Sequence, residues 1–107
     1  MAKATLVGAA LLALTSAPAF SASSTDVEGG RQIAMENCAR CHAIAPGMVA
    51  GHPSAPDFVD IAGFYPPETI AEAFAEGVSV GHPDMPEFEF SVGEVEMLVR
   101  YLESLSP

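Results

Sequence analysis

The sequence has no tryptophan, only two cysteines, and four basic residues against 14 acidic ones in a chain of 107. Each scarcity closes off a class of function. A formal net charge of −10 without any Lys/Arg cluster leaves nothing to neutralise phosphates, which excludes a nucleic-acid partner. Two cysteines three positions apart cannot form the disulfide framework that staples many small secreted domains. No alternation of polar and apolar residues is long enough to predict a strand. Half of the chain is hydrophobic all the same, and the first concentration of apolar residues reads as an address rather than as part of a core.

Lys3 supplies a short positive start, residues 4–14 form an uncharged apolar run, and Ala17-Pro18-Ala19 closes a small-residue stretch. This is the anatomy of a secretory signal peptide. The run is about half of the ~20 residues that a membrane-spanning helix needs. No Cys lies near the cleavage region and no Arg pair precedes it, so neither lipoprotein anchoring nor a twin-arginine route is indicated. The predicted organisation is a signal over residues 1–19 with cleavage between 19 and 22, a flexible leader over 20–26, and one domain over 27–107. The predicted destination is the periplasm, with no membrane-spanning segment left after cleavage. A domain of about 80–90 residues gains much from a staple, metal or cofactor.

Three stretches of that domain have helical character. Asp26 is placed to cap a helix over 27–37, with Val27, Gly30, Ala34 and Cys38 on one face. Pro66-Pro67-Glu68 suits the first turn of a second helix, with Ile70, Ala73 and Phe74 as its apolar stripe and Gly77 as its stop. Ser91-Val92-Gly93-Glu94 reads as a capping box for a third, whose buried face is Val95, Leu98, Val99, Leu102 and Leu105. Residues 43–65 are rich in Gly and Pro, with a single helical turn predicted over 57–61. So much loop is too much for helices that pack only on one another, and something else must fill the middle.

Cys38-Ala39-Arg40-Cys41-His42 is a C-x-x-C-H motif that uses both cysteines. Two thiols at this spacing can add to the two vinyl groups of one haem, and the adjacent imidazole can then bind its iron. Two other readings compete. A redox-active C-x-x-C usually opens a helix within a βαβ unit, whereas this one closes a helix. A structural zinc site needs four ligands, which would require His52 and His82 to converge on the two cysteines. For the second axial position of a haem, Met35 and Met97 read as packing residues and Met48 stands too close behind His42. Met85 follows Gly81-His82-Pro83-Asp84 and precedes Pro86, so its backbone is stiffened before the sulfur is offered to a metal. His82 is the rival ligand, and His52, in a second Gly-His-Pro at 51–53, is a more distant one.

With these motifs in place the chain resembles the small class I c-type cytochromes of bacteria, over about residues 28–105. The attachment motif, the Met85-Pro86 pair and the amphipathic C-terminal helix carry the resemblance, and Gly30 and Tyr101 stand where that family places a small residue and an aromatic. The resemblance implies an all-α cytochrome c fold, with three main helices and Gly/Pro-rich loops wrapped around one covalently attached haem c. It implies thioether bonds from Cys38 and Cys41 and axial ligation by His42 and Met85. It also implies a carbonyl near a proline that accepts the imidazole N–H, for which Pro56 is the best match and Pro53 the second. Three features depart from the family: Ile33-Ala34 replaces an aromatic, the lysine ring of mitochondrial cytochrome c is absent, and Tyr65 must stand in for a Trp that would bond a haem propionate.

Iron held from both sides has no open position, so the implied function is single-electron transfer rather than catalysis at the metal. A thioether ligand and burial among Phe58, Ile61, Phe64, Ile70, Phe74, Leu98 and Leu102 should both raise the reduction potential. The implied partners are redox proteins (a dehydrogenase, oxidase or reductase) with a basic or neutral docking surface, met by a monomer or by the haem subunit of a dehydrogenase complex. The alternative is a haem-based sensor in which Met85 is displaced by a diatomic gas or a peroxide.

Overall fold

The structure, a computed structural model, describes residues 2–16, 24–77 and 82–107. The predicted cleavage region at 19–22, most of the predicted leader, and Gly81 of the second Gly-His-Pro lie outside the described residues. The described part of the chain is all-α: α1 (Ser24–Asn37), α2 (Phe58–Phe64), α3 (Pro67–Glu76) and α4 (Val92–Leu105), with no strand among the described residues. None of these helices is long and apolar enough to cross a membrane. Residues 2–16 carry no regular structure, and Leu6, Val7, Leu11, Leu12 and Leu14 stand almost fully exposed.

Local chemistry accounts for three of the four helices. Ser91 accepts the Glu94 N–H at 3.3 Å while the Glu94 carboxylate accepts the Ser91 N–H at 2.8 Å, a closed capping box at the start of α4. Pro67 occupies the first turn of α3, where a missing N–H costs nothing, and Gly77 ends that helix at φ 93°. α1 begins earlier than its pattern predicts, so Asp26 lies inside the first turn instead of capping it, where its charge still meets the positive end of the helix dipole. The expected single turn near 57–61 is a helix of seven residues. Its start is fixed from outside, since the Phe58 N–H bonds the Ala43 carbonyl at 2.9 Å and the Phe58 ring is buried.

Helix α4 is the hub, packing against α1, α2 and α3, and most extensively against α1. The core joins Ala34, Ile44, Phe58, Ile70, Leu98, Tyr101 and Leu102, with Ile61, Phe74 and Phe90 packed half-buried against it. Two expected members are elsewhere. Ala73 is exposed on α3, and Phe64 is 80% exposed at the last turn of α2. Phe58, Ile61 and Ala62 form the inward face of that short helix, and 100° per residue turns Phe64 away from it.

The α1–α4 contact depends on Gly30. A Cβ there would overlap the Met97 carbonyl oxygen and stand 2.7 Å from Tyr101 Cβ, so the two backbones touch where no side chain can fit. The Tyr101 hydroxyl then reaches past this crossing to donate to the Ile44 carbonyl at 2.6 Å, a bond buried from water. Burial also pushes the Tyr101 phenol above its ordinary pKa, keeping the donor protonated.

Three outcomes are expected in denaturant unfolding. Gly30→Ala should cost about 1–3 kcal/mol through overpacking, whereas Gly93→Ala, with open space around it in the first turn of α4, should be neutral or stabilising. Tyr101→Phe should cost about 1–3 kcal/mol because the Ile44 carbonyl is left buried without a partner; an unchanged midpoint would show that this bond carries no weight.

Candidate functional site

Helix α1 delivers the C-x-x-C-H motif by running directly into it. The Cys38 N–H bonds the Ala34 carbonyl at 2.8 Å, and the His42 N–H bonds the Cys38 carbonyl at 2.9 Å, so the motif is one further coil of chain closing the helix. Both cysteines are half-buried free thiols. Desolvation pushes the Cys38 thiol up to about 11. The motif stands at the end of α1 with no strand among the described residues, whereas the activated cysteine of a dithiol oxidoreductase opens a helix in a βαβ unit, and the desolvation of Cys38 runs against such activation as well.

The segment after the motif folds back onto it. The His52 N–H bonds the Cys41 carbonyl at 3.1 Å. The neighbouring Gly51 lies so close to the motif that a Cβ there would overlap the Arg40 carbonyl oxygen. The chain then returns to bring Pro56 beneath the imidazole, where the His42 Nδ1–H donates to the Pro56 carbonyl oxygen at 2.7 Å. A carbonyl can only accept, so the ring proton resides on Nδ1 and Nε2 carries the free lone pair. Phe58, at the start of α2, tilts against the same imidazole with ring centroids 5.6 Å apart. The ring is thus oriented from two sides, with its metal-binding nitrogen left unused.

These features fit a covalently attached haem: two unpaired thiols on one coil of chain, an imidazole with its tautomer fixed, and apolar residues of α2 and α4 nearby to exclude water. Cys38 and Cys41 would carry the thioethers and His42 would bind the iron. A groove of about 420 Å³ between α3 and α4, lined by Ala71, Ala75, Phe90 and Val95, includes no residue of the motif.

Met85 lies half-buried in a turn closed by its own N–H on the His82 carbonyl at 3.2 Å. Past it, Phe90 packs edge-on against Phe74 of α3 and lies parallel to Phe88, which ties the Met85 loop to the core. The sequence reading missed this aromatic clamp. Its signal was available in Phe88-Glu89-Phe90, whose two rings fall on one side of an extended chain. Tyr65 is half exposed at the end of α2, with its ring edge-on to Phe64. The Met97 side chain packs over Gly29, and Met35 and Met48 are substantially exposed. His52 and His82 do converge, but on each other and on Asp84 rather than on the cysteines, which removes the four-ligand zinc reading of the motif.

Comparison with curated proteins and with solved structures gave no match. Residues 25–102, from the first turn of α1 to the buried face of α4, match the family described as cytochrome C oxidase, cbb3-type, subunit III. With that match covering most of the chain and a haem-attachment motif placed as described, the protein belongs to this c-type cytochrome family, whose domain implies covalently bound haem c and haem-based electron transfer.

Proposed function

We propose that the protein is an exported, monohaem carrier of single electrons, ligated axially by His42 and Met85. The observation that carries the reading is the His42–Pro56 hydrogen bond, because it holds the ring proton on Nδ1 and leaves Nε2 as the nitrogen that can bind iron. A bound haem supplies one-electron Fe(II)/Fe(III) chemistry.

The chain's own residues do the rest. The Pro56 carbonyl holds the Nδ1 proton and makes Nε2 a stronger donor. Met85, presented on a loop secured by the Phe90–Phe74 contact, offers a soft thioether that favours the reduced state. Phe58, Ile70, Leu98 and Leu102 exclude water and disfavour the more highly charged oxidised state. Tyr65, half exposed at the end of α2, is the candidate donor to a propionate. With His42 and Met85 both holding the iron, no position would remain for a substrate, and an outer-sphere electron is what such a site would pass.

The exposed apolar residues of segment 2–16 support its reading as an export signal to the periplasm, where haem is attached covalently. The surface favours basic or neutral redox partners. Arg31 is engaged by Glu28 at 2.7 Å and Arg100 by Glu103 at 3.5 Å, so two of the few cations are already answered from within. A dehydrogenase, oxidase or reductase that presents such a surface is the class of partner proposed, met by a monomer through a small interface.

Met85→Ala in protein matured with haem should leave the cofactor attached, abolish the Met–iron charge-transfer band and lower the reduction potential. Retention of the band would assign the ligand elsewhere. Carbon monoxide added to the reduced protein at neutral pH should leave its spectrum unchanged; a shifted Soret band would favour a sensor over a carrier.

A further inference from the structure

Two Gly-His-Pro tripeptides, at 51–53 and 81–83, stand 30 positions apart in the sequence, and their histidines meet in space. The His52 and His82 rings pack edge to face with centroids 5.1 Å apart. The Asp84 carboxylate completes a group in which one ligand atom from each of the three residues lies within 4.8 Å of the others. His52 Nε2 and Asp84 Oδ2 are 3.1 Å apart, the separation of neighbouring ligands around an ion with bonds of about 2 Å. Each histidine is also braced in the same way: His52 Nδ1 accepts the Ser54 N–H at 3.1 Å, and His82 Nδ1 accepts the Asp84 N–H at 3.3 Å. Both rings therefore turn Nε2 away from their own turns. The His82 side chain is half-buried, as is that of His52, while Asp84 is exposed and leaves room for water on the outer side.

From this geometry we propose that His52, His82 and Asp84 form a surface site for a divalent transition-metal ion such as Zn²⁺ or Cu²⁺, separate from the haem ligands. Two imidazoles and one carboxylate suit borderline cations and not the all-oxygen preference of Ca²⁺ or Mg²⁺. Water fills the remaining positions. Binding through Nε2 leaves the ring proton on Nδ1 and gives up the two brace bonds and the His52 Nε2–H bond to Asp84, all between 3.1 and 3.3 Å and so at the long end of hydrogen-bond distances. In return the ion joins two loops. His52 follows directly on Gly51, whose backbone is pressed onto the attachment motif, and Asp84 precedes Met85. The site is thus a removable tie between the segment holding His42 and the segment holding Met85.

The test uses the haem-loaded protein, in which the cysteine sulfurs and His42 no longer compete for metal, so a protein that carries no haem fails the functional reading without touching this one. Calorimetric titration with Zn²⁺ should show binding at a single site per chain, weakened by about tenfold or more in His52→Gln and in His82→Gln. Zn²⁺ should also raise the thermal midpoint of the parent protein but not of His52→Gln, which is remote from Met85 in sequence. Cu²⁺ bound at the same site should show nitrogen hyperfine coupling in its electron paramagnetic resonance spectrum. Absence of Zn²⁺ binding, or binding to both Gln variants as strong as to the parent protein, would overturn the proposal and leave the cluster a hydrogen-bonded latch only.

Discussion

Helix α1 lies against α4 because position 30 has no side chain, and much of the remaining architecture is transmitted from that contact. Backbone against backbone at Gly30 sets where Tyr101 stands. The Tyr101 hydroxyl in turn fixes the Ile44 carbonyl, two residues beyond His42. The Ala43 carbonyl beside it receives the first N–H of α2. One close approach between two distant helices thereby positions the segment that leaves the haem-attachment motif, and that segment brings Pro56 to the imidazole. The burial of Leu98 and Leu102 supplies the driving force, but the missing Cβ decides the geometry.

The parts legible in the sequence are those whose chemistry is local. Ser91 and Glu94 cap α4 through atoms three residues apart, and Pro67 and Gly77 bracket α3 by their own backbone preferences. The attachment motif is equally local, since its spacing is its function. Nonlocal contacts decide the rest. α2 is longer than its pattern predicts because what nucleates it, the Ala43 carbonyl and a burial site for Phe58, lies outside the helix. Phe64 looked like core by its side chain, yet its angular position on a helix of seven residues turns it outward. The meeting of His52 with Asp84 spans 32 positions and leaves no periodic trace beyond a repeated tripeptide.

The electrostatic character follows from the scarcity of basic residues. Arg31 and Arg100 are held by acidic neighbours one helical turn away, pairs that at such exposure add little to stability. Their main effect is local: two of the few positive charges are met by carboxylates in place, and the surface that an approaching partner meets is dominated by carboxylates. An acidic exterior around an apolar interior is a workable division for an electron-transfer protein, because the interior governs potential and the exterior governs encounter.

The near-contact of Gly51 with the Arg40 carbonyl has a further consequence. Together with the His52 N–H on Cys41 it closes residues 42–51 into a short ring of chain whose two ends are clamped side by side. Pro46, Gly47, Met48 and Val49 form the exposed rim of that ring. Lengthening a loop whose ends are already joined costs only a slowly growing entropy. The rim is therefore a natural graft point, where a reporter peptide or an affinity handle could be spliced in while both ends of the ring keep their places.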